Sequence, residues 1–192
     1  MQKVAKELLA EGAAKCQDHG AIACSGPLLS LEEIKQILGT RYARLHNSLL
    51  GKLAPLRPDQ VFETWMMRES DLVQGTSEAF GEHFVLLQSL SVMDTLAAPA
   101  RAVVSEIVSL YALTCIQRDL AWYLCQGILQ VKEAGMIKNQ VNACVKNLTP
   151  HMSKLLNGFE IPEELIQTPI AQDWVEFNKV NNRGEVHNIN LA

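Results

Sequence analysis

The chain has 192 residues, 48% of them hydrophobic, and a formal net charge of −4 from 17 basic and 21 acidic side chains. That length and apolar content suit one domain or one long helical bundle with a short extension, and they exclude wholesale disorder. No block of lysine or arginine is present to follow a phosphate backbone, so nucleic-acid binding has no electrostatic support.

Residues 1–12 are amphipathic, with two lysines and two glutamates. They lack the apolar run of a signal peptide and the Arg/Ser-rich, acid-poor character of a mitochondrial presequence. The apolar stretch Ile107 to Gln117 stops at Arg118. A membrane span needs roughly 20 apolar residues, so none is expected. The cysteines Cys16, Cys24, Cys115, Cys125 and Cys144 are odd in number, and no pair has CxxC spacing. They read as reduced thiols in a cytosolic or organellar-matrix setting.

A first helix is expected over residues 2–15, with Val4, Leu8, Leu9 and Ala13 on one face. Residues 18–27 carry two glycines and a proline and read as a loop. Ser30 and Glu33 form a capping box in which each side chain reaches the other's amide. The helix it opens is expected to end near Leu53, with Ile34, Ile37, Leu38, Tyr42, Leu45, Leu49 and Leu53 as its buried stripe. Pro55 and Pro58 end it, and Asp59 is the expected cap of a single helix over residues 60–93. Gly75 and Gly81 lie within that helix and are expected to mark close helix–helix approach. After a turn at Ala98-Pro99, residues 102–123 form an apolar helix carrying Val103, Val104, Ile107, Val108, Tyr111 and Thr114. The most regular stripe runs Ile137, Val141, Cys144, Val145, Leu148, Met152, Leu155, Leu156 and Phe159. Pro150 interrupts it, with Thr149-Pro150 as the expected cap and first position of a following helix. A short helix around 171–178 and a polar, frayed tail over 181–192 complete the chain. No β-alternation of useful length occurs, and the fold class is all-α, an up-and-down helical bundle. The expected division is 1–29 for the N-terminal helix and loop, 30–180 for the bundle and 181–192 for the tail.

Candidate chemistry is sparse. The histidines are His19, His46, His83, His151 and His187. None shares metal-ligand spacing with another ligand, and the Glu-x-x-His of a di-iron bundle is missing. Glu78, Glu82 and His83 share one helix and read as a surface ion pair, so no metal ligand is assigned. Gly-x-Ser-x-Gly, a P-loop and Gly-x-Gly-x-x-Gly are all missing from the sequence. Cys24 in its loop near His19 is a weak nucleophile candidate, and the other thiols read mostly as small core hydrophobes. Trp65-Met66-Met67 and Trp122-Tyr123 could line an apolar ligand slot, against a default reading as core. No self-sufficient catalytic site emerges.

The run Pro150-His151-Met152-Ser153-Lys154-Leu155-Leu156-Asn157-Gly158-Phe159-Glu160-Ile161-Pro162, with Leu165 and Thr168-Pro169-Ile170-Ala171 after it, resembles the C-terminal segment of the flavin-dependent acyl-CoA oxidases. Asn157-Gly158-Phe159 stands where that family has Asp-Ala-Phe, and Glu163 stands where it has aspartate. Arg41-Tyr42-Ala43-Arg44-Leu45 resembles the family's Arg-x-x-Arg-Leu helix, and Ser77-Glu78-Ala79 through Phe84 resembles its Ser-Glu-Ala helix. Leu110-Tyr111-Ala112-Leu113 through Leu124-Cys125-Gln126-Gly127 resembles its Leu-Tyr-x-Leu and Leu-x-x-Gly pair. The likeness spans about residues 40–180, in order and at compatible spacing.

The resemblance implies a C-terminal helical bundle from a protein that binds FAD and oxidises acyl-CoA to trans-2-enoyl-CoA with hydrogen peroxide production, in fatty-acid β-oxidation. It also implies peroxisomal localisation, a homodimer as the full protein, and the remainder of the oxidase chain or a second subunit as partner. The family's catalytic glutamate lies in a Phe-Glu-Gly motif upstream of the matched region. Here Phe62-Glu63 is followed by Thr64, and Phe159-Glu160 by Ile161. No catalytic or FAD-binding residue is therefore carried over, and this chain alone is expected to be inactive and flavin-free. The final Asn190-Leu191-Ala192 departs from the Ser-Lys-Leu type of peroxisomal address, which leaves a cytoplasmic setting open. The alternative is a non-catalytic helical interaction module derived from the same fold.

Overall fold

The computed structural model describes residues 17–162, together with Leu165, Asp173, Val175, Glu176 and Lys179. The helix expected over 2–15, the tail over 181–192 and most of the helix expected over 171–178 lie outside these residues. The chain divides into two compact units, Met1–Thr149 and Pro150–Ala192.

In the first unit the capping box forms as expected and does more than cap. Glu33 accepts from the Ser30 amide and hydroxyl, both at 2.7 Å, while Ser30 Oγ accepts from the Glu33 amide at 3.2 Å. The same carboxylate takes the Ser25 amide at 2.8 Å and its hydroxyl at 2.9 Å, which folds the preceding loop onto the helix start. Helix α1, Leu31–Leu53, follows. Of its expected stripe, Ile34, Ile37, Leu38, Tyr42 and Leu49 are buried. Thr40, Arg41 and His46 are buried too, so the helix is enclosed on more than the apolar face.

The helix expected over 60–93 is three pieces. Arg57 rather than Asp59 is the cap of α2, Pro58–Glu63, with Pro58 at the first turn where its missing N–H costs nothing. Thr64–Arg68 then forms a π-turn, closed by the Glu69 amide donating to Thr64 O at 2.8 Å. Glu69 also holds the end of α1, accepting from Lys52 Nζ at 2.5 Å. Helix α3, Ser70–Met93, packs against α1. Gly75 and Gly81 lie inside it without breaking it. A Cβ added at either would meet nothing within 4 Å among the described residues, so neither marks a close approach.

Helix α4 is Ala98–Arg118 and packs on α1, α3 and α6. Contrary to expectation, it is long and apolar enough, by length and composition, to cross a membrane. A core helix that is apolar all round has the same composition, and Val108, Ala112, Leu113, Cys115 and Ile116 are core side chains here. Of the side chains named from the sequence, Val108 is buried and Val104 and Tyr111 pack against the core, whereas Ile107 and Thr114 are exposed. The helix also stops at Asp119 instead of running to residue 123. Helix α5, Leu120–Cys125, restarts it and ends in a Schellman cap. The Ile128 amide donates to Tyr123 O and the Gly127 amide to Leu124 O, both at 3.0 Å, with Gly127 at φ +64°.

Helix α6, Val131–Leu148, buries Ile137, Cys144 and Leu148 of the expected stripe, but Val145 is exposed. Its Gln140 donates to Leu29 O at 2.9 Å and accepts from Leu29 N at 3.0 Å, clamping the loop before α1. Thr149 continues the helical backbone and donates its hydroxyl to Val145 O, so it does not cap a new helix. In the second unit, Met152–Asn157 forms α7, with Met152, Leu156 and Phe159 exposed. Asp173 Oδ1 accepts the Val175 and Glu176 amides at 3.1 Å, as a helix cap does. No strand occurs among the described residues. The fold is the expected all-α bundle.

Two predictions rest on this packing. Gly75→Ala and Gly81→Ala each stabilise the chain by about 0.5–1 kcal/mol in urea denaturation, because alanine gains helix propensity with no clash. The hydrogen bonds from Ser30 first, then from Ser25, hold the Glu33 carboxyl down at about 2. A depressed carboxyl adds stability above its unfolded value of 4.5, and that stability drains as pH falls toward 2. Glu33→Gln is expected to flatten this part of the stability–pH profile, measured by thermal melts.

Candidate functional site

The densest chemistry in the first unit is a buried ionic cluster where α1, α3 and the α4–α5 break meet. Arg41 is 4% exposed and donates to Glu82 at 2.6 Å. It also pairs with Asp119 and, more loosely at 3.7 Å, with Glu78. Arg118 closes the cluster through Glu78 at 2.9 Å and through Glu82. Two arginines thus face three carboxylates, and none of the three acids is left unpaired to serve as a base. Glu82 is only 6% exposed, so the surface ion pair expected for Glu78, Glu82 and His83 is instead a core network, of which Glu78 forms the outer edge. The helix break at Asp119 belongs to it: the residue sits at φ −111°, ψ 26°, with its carboxylate on Arg41.

The surroundings are apolar. Burial, with Glu82 next, pushes the Cys115 thiol up to about 11, and burial raises the Tyr111 hydroxyl to about 12. Tyr123 is fully buried, and burial above all raises its hydroxyl further. That hydroxyl and Arg41 Nε have no hydrogen-bond partner among the described residues. Arg44 works beside the cluster, donating to Asp18 at 2.9 Å and to Gln126 O at 2.7 Å, which ties the entry loop to the end of α5.

The nucleophile candidate has the wrong environment. Cys24 is half-buried, and burial first, then Glu133 and Glu33, raise its thiol, whereas a reactive cysteine needs a lowered one. No cluster of three or more metal-ligating side chains occurs among the described residues. The apolar slot does exist: a cleft of about 150 Å³ lies between α1 and α3, lined by Tyr42, His46, Leu49, Trp65 and Phe80 among others. Trp65 lines it from the π-turn. Met66 and Met67 are 51% and 79% exposed, Tyr123 is core, and Trp122 packs partly against the core. A second, polar cleft of about 260 Å³ is lined by Gln17, His19, Lys35, Gln36, Gly39, His83 and Leu87. No local pattern announces it, since its residues come from a loop, α1 and α3.

The sequence matches the acyl-CoA oxidase family over residues 30–173, well over half of the chain. The chain belongs to the acyl-CoA oxidase family. It is 30% identical over 108 residues to the peroxisomal acyl-coenzyme A oxidase 3 of Arabidopsis thaliana, a match covering 56% of this chain and 16% of that protein. A second Arabidopsis thaliana chain, described as a candidate acyl-coenzyme A oxidase, is 30% identical over 108 residues, covering 56% of this chain and 57% of its own length. The chain thus spans less than two thirds of either relative. No solved structure matches it closely enough to add a comparison.

The family membership gives the cluster its meaning. Arg41 and Glu78 belong to two of the motifs that carry the likeness, so stretches far apart in sequence meet in one network, with Tyr111 of another motif near Glu82 and Arg118. In these motifs Arg41 and Glu78 take part in the ion pairs that hold helices together. The family also implies FAD, which is too large for either of these two clefts. Neither cleft reaches the roughly 300–1,000 Å³ of a site for a drug-sized ligand, and FAD is larger still.

Removing one member of a buried pair strands the other charge. Arg41→Met is expected to cost about 3–5 kcal/mol in urea denaturation. Arg118→Met, at a side chain 57% exposed, should cost about 1 kcal/mol or less. Equal effects at the two positions would show that the cluster is not centred on Arg41.

Proposed function

We propose that this chain is the C-terminal helical part of an FAD-dependent acyl-CoA oxidase-like protein, with residues 30–180 as its bundle and the reacting groups elsewhere. The observation that carries this reading is the family match over residues 30–173, joined to a network in which the motif residues Arg41 and Glu78 lock helices together. In the complete protein FAD would supply the redox step, and acyl-CoA would leave as trans-2-enoyl-CoA with hydrogen peroxide formed from oxygen. This chain's residues contribute a rigid body against which the rest of the oxidase, or a second subunit, can pack. Two relatives named as peroxisomal support a peroxisomal setting for such a protein.

Exposed apolar side chains support an assembly role. Phe62, Met66 and Met67 stand out from α2 and the π-turn, and Phe84 and Val85 from α3. Singly these are ordinary surface residues, but closely spaced apolar groups at 74% and 79% exposure, Phe62 and Met67, suit a contact with another protein surface. The same residues support a second reading, a non-catalytic interaction module that kept the fold and not the chemistry.

An immunoblot against residues 132–178 separates the two. A native band several times larger than 21.3 kDa is expected, and that protein should make peroxide from acyl-CoA. A single band at 21.3 kDa would favour the interaction module.

A further inference from the structure

The pairing within the ionic cluster leaves two polar atoms over. Arg41 uses both terminal nitrogens, donating Nη1 to Glu82 at 2.6 Å and Nη2 to Asp119. Its Nε–H and the Tyr123 hydroxyl are closed off from solvent and have no hydrogen-bond partner among the described residues. The two residues are 4% and 0% exposed. Neither atom is free to turn toward a protein group. A planar guanidinium held at both tips fixes Nε, and rotating it breaks the pairs with Glu82 and Asp119. Tyr123 is held through its backbone, whose carbonyl accepts the Ile128 amide at 3.0 Å and whose amide donates to Asp119 O at 3.3 Å. Its ring meets Trp122 edge-on, with centroids 5.4 Å apart. A buried polar group left unmet costs free energy, and folded proteins meet nearly all such groups with a protein partner or an ordered water.

We propose that an internal water molecule is bound between Arg41 Nε and the Tyr123 hydroxyl, as a further member of the cluster that joins α5 to α1. The charge around the position selects a neutral ligand that both donates and accepts. Arg41, Glu82 and Asp119 all act on the Tyr123 hydroxyl, so both signs of charge surround it. A chloride would face the carboxylates of Glu82 and Asp119, and a metal cation would face Arg41. Water suits both. Its oxygen accepts from Nε–H, one hydrogen goes to the Tyr123 oxygen, and the other has a neighbouring carboxylate to meet. That gives about three hydrogen bonds, the usual number for a buried water. Asp119 and Tyr123 stand one helical turn apart at the start of α5. The water therefore gives Arg41 a second hold on the turn that its pair with Asp119 already grips.

Water-selective NMR on the 192-residue chain, with nitrogen-labelled arginine to observe the Arg41 Nε–H proton, tests this. The expected result is a rotating-frame cross-peak from water to that proton, with the sign that marks a bound water and not proton exchange. Tyr123→Phe keeps the ring and removes the hydroxyl. It should abolish the cross-peak and lower the melting temperature by roughly 2–4 °C, the effect of one hydrogen bond in a chain of this size. Tyr111→Phe, which removes a hydroxyl that bonds the Cys115 side chain instead, should keep the cross-peak. Absence of the cross-peak in the parent overturns the proposal, and so does a cross-peak that Tyr123→Phe leaves unchanged. A higher melting temperature in Tyr123→Phe overturns it as well, because the hydroxyl then had no partner to lose. If Tyr123→Phe does not fold, the presence or absence of the cross-peak in the parent decides.

Discussion

A guanidinium buried to 4% exposure cannot be left alone, and much of this bundle is arranged around that requirement. Removing an arginine from water costs several kcal/mol, recovered only when acids and hydrogen bonds meet it with good geometry. Arg41 is met by Glu82 from α3 and by Asp119 from the α4–α5 junction, with Arg118 supplying the counter-charge that lets Glu82 be buried in turn. Each partner lies on a different element, so the network holds only in one register of α1, α3 and α4. Apolar packing alone is more permissive, because α4 is apolar all round and could present several faces to its neighbours. The charge cluster removes that freedom.

The same requirement explains the largest departures from the periodic reading. Hydrophobic spacing correctly gave α1 and the end of α3 at Met93, with no strand among the described residues, and the Ser30/Glu33 cap was legible because its partners are three residues apart. Asp119 looked like one more polar residue on a continuous helix. Its role depends on Arg41, 78 positions away, which no local pattern contains. Glu82 was read as a surface group for a related reason: a carboxylate normally seeks water, and only the two arginines make its burial tolerable. The π-turn at Thr64–Arg68 carries no Pro or Gly to announce it, and Gly75 and Gly81 drew attention to places where nothing happens.

The family likeness was visible for a different physical reason. Its motifs mix charged and aromatic residues at fixed helical spacing, and such residues have few substitutes once they are buried together. Arg41 cannot become lysine without losing the fork that reaches two acids at once. Gly127 stands at φ +64°, where a side chain is strained, so the glycine that resembles the family pattern is a helix terminator. Arg41, Glu78 and Gly127, which carry parts of the family likeness, each serve here to hold helices together or to end one. The family can therefore be recognised in a stretch whose matching residues serve the packing of helices.

That separation bears on how such a protein is organised. Reacting groups need a site whose polarity can be tuned, whereas a supporting body needs one arrangement and no alternatives. Here the buried polarity serves the second need. In the Arg41 cluster each of the three carboxylates meets an arginine, and the result is one fixed arrangement of the helices that carry them.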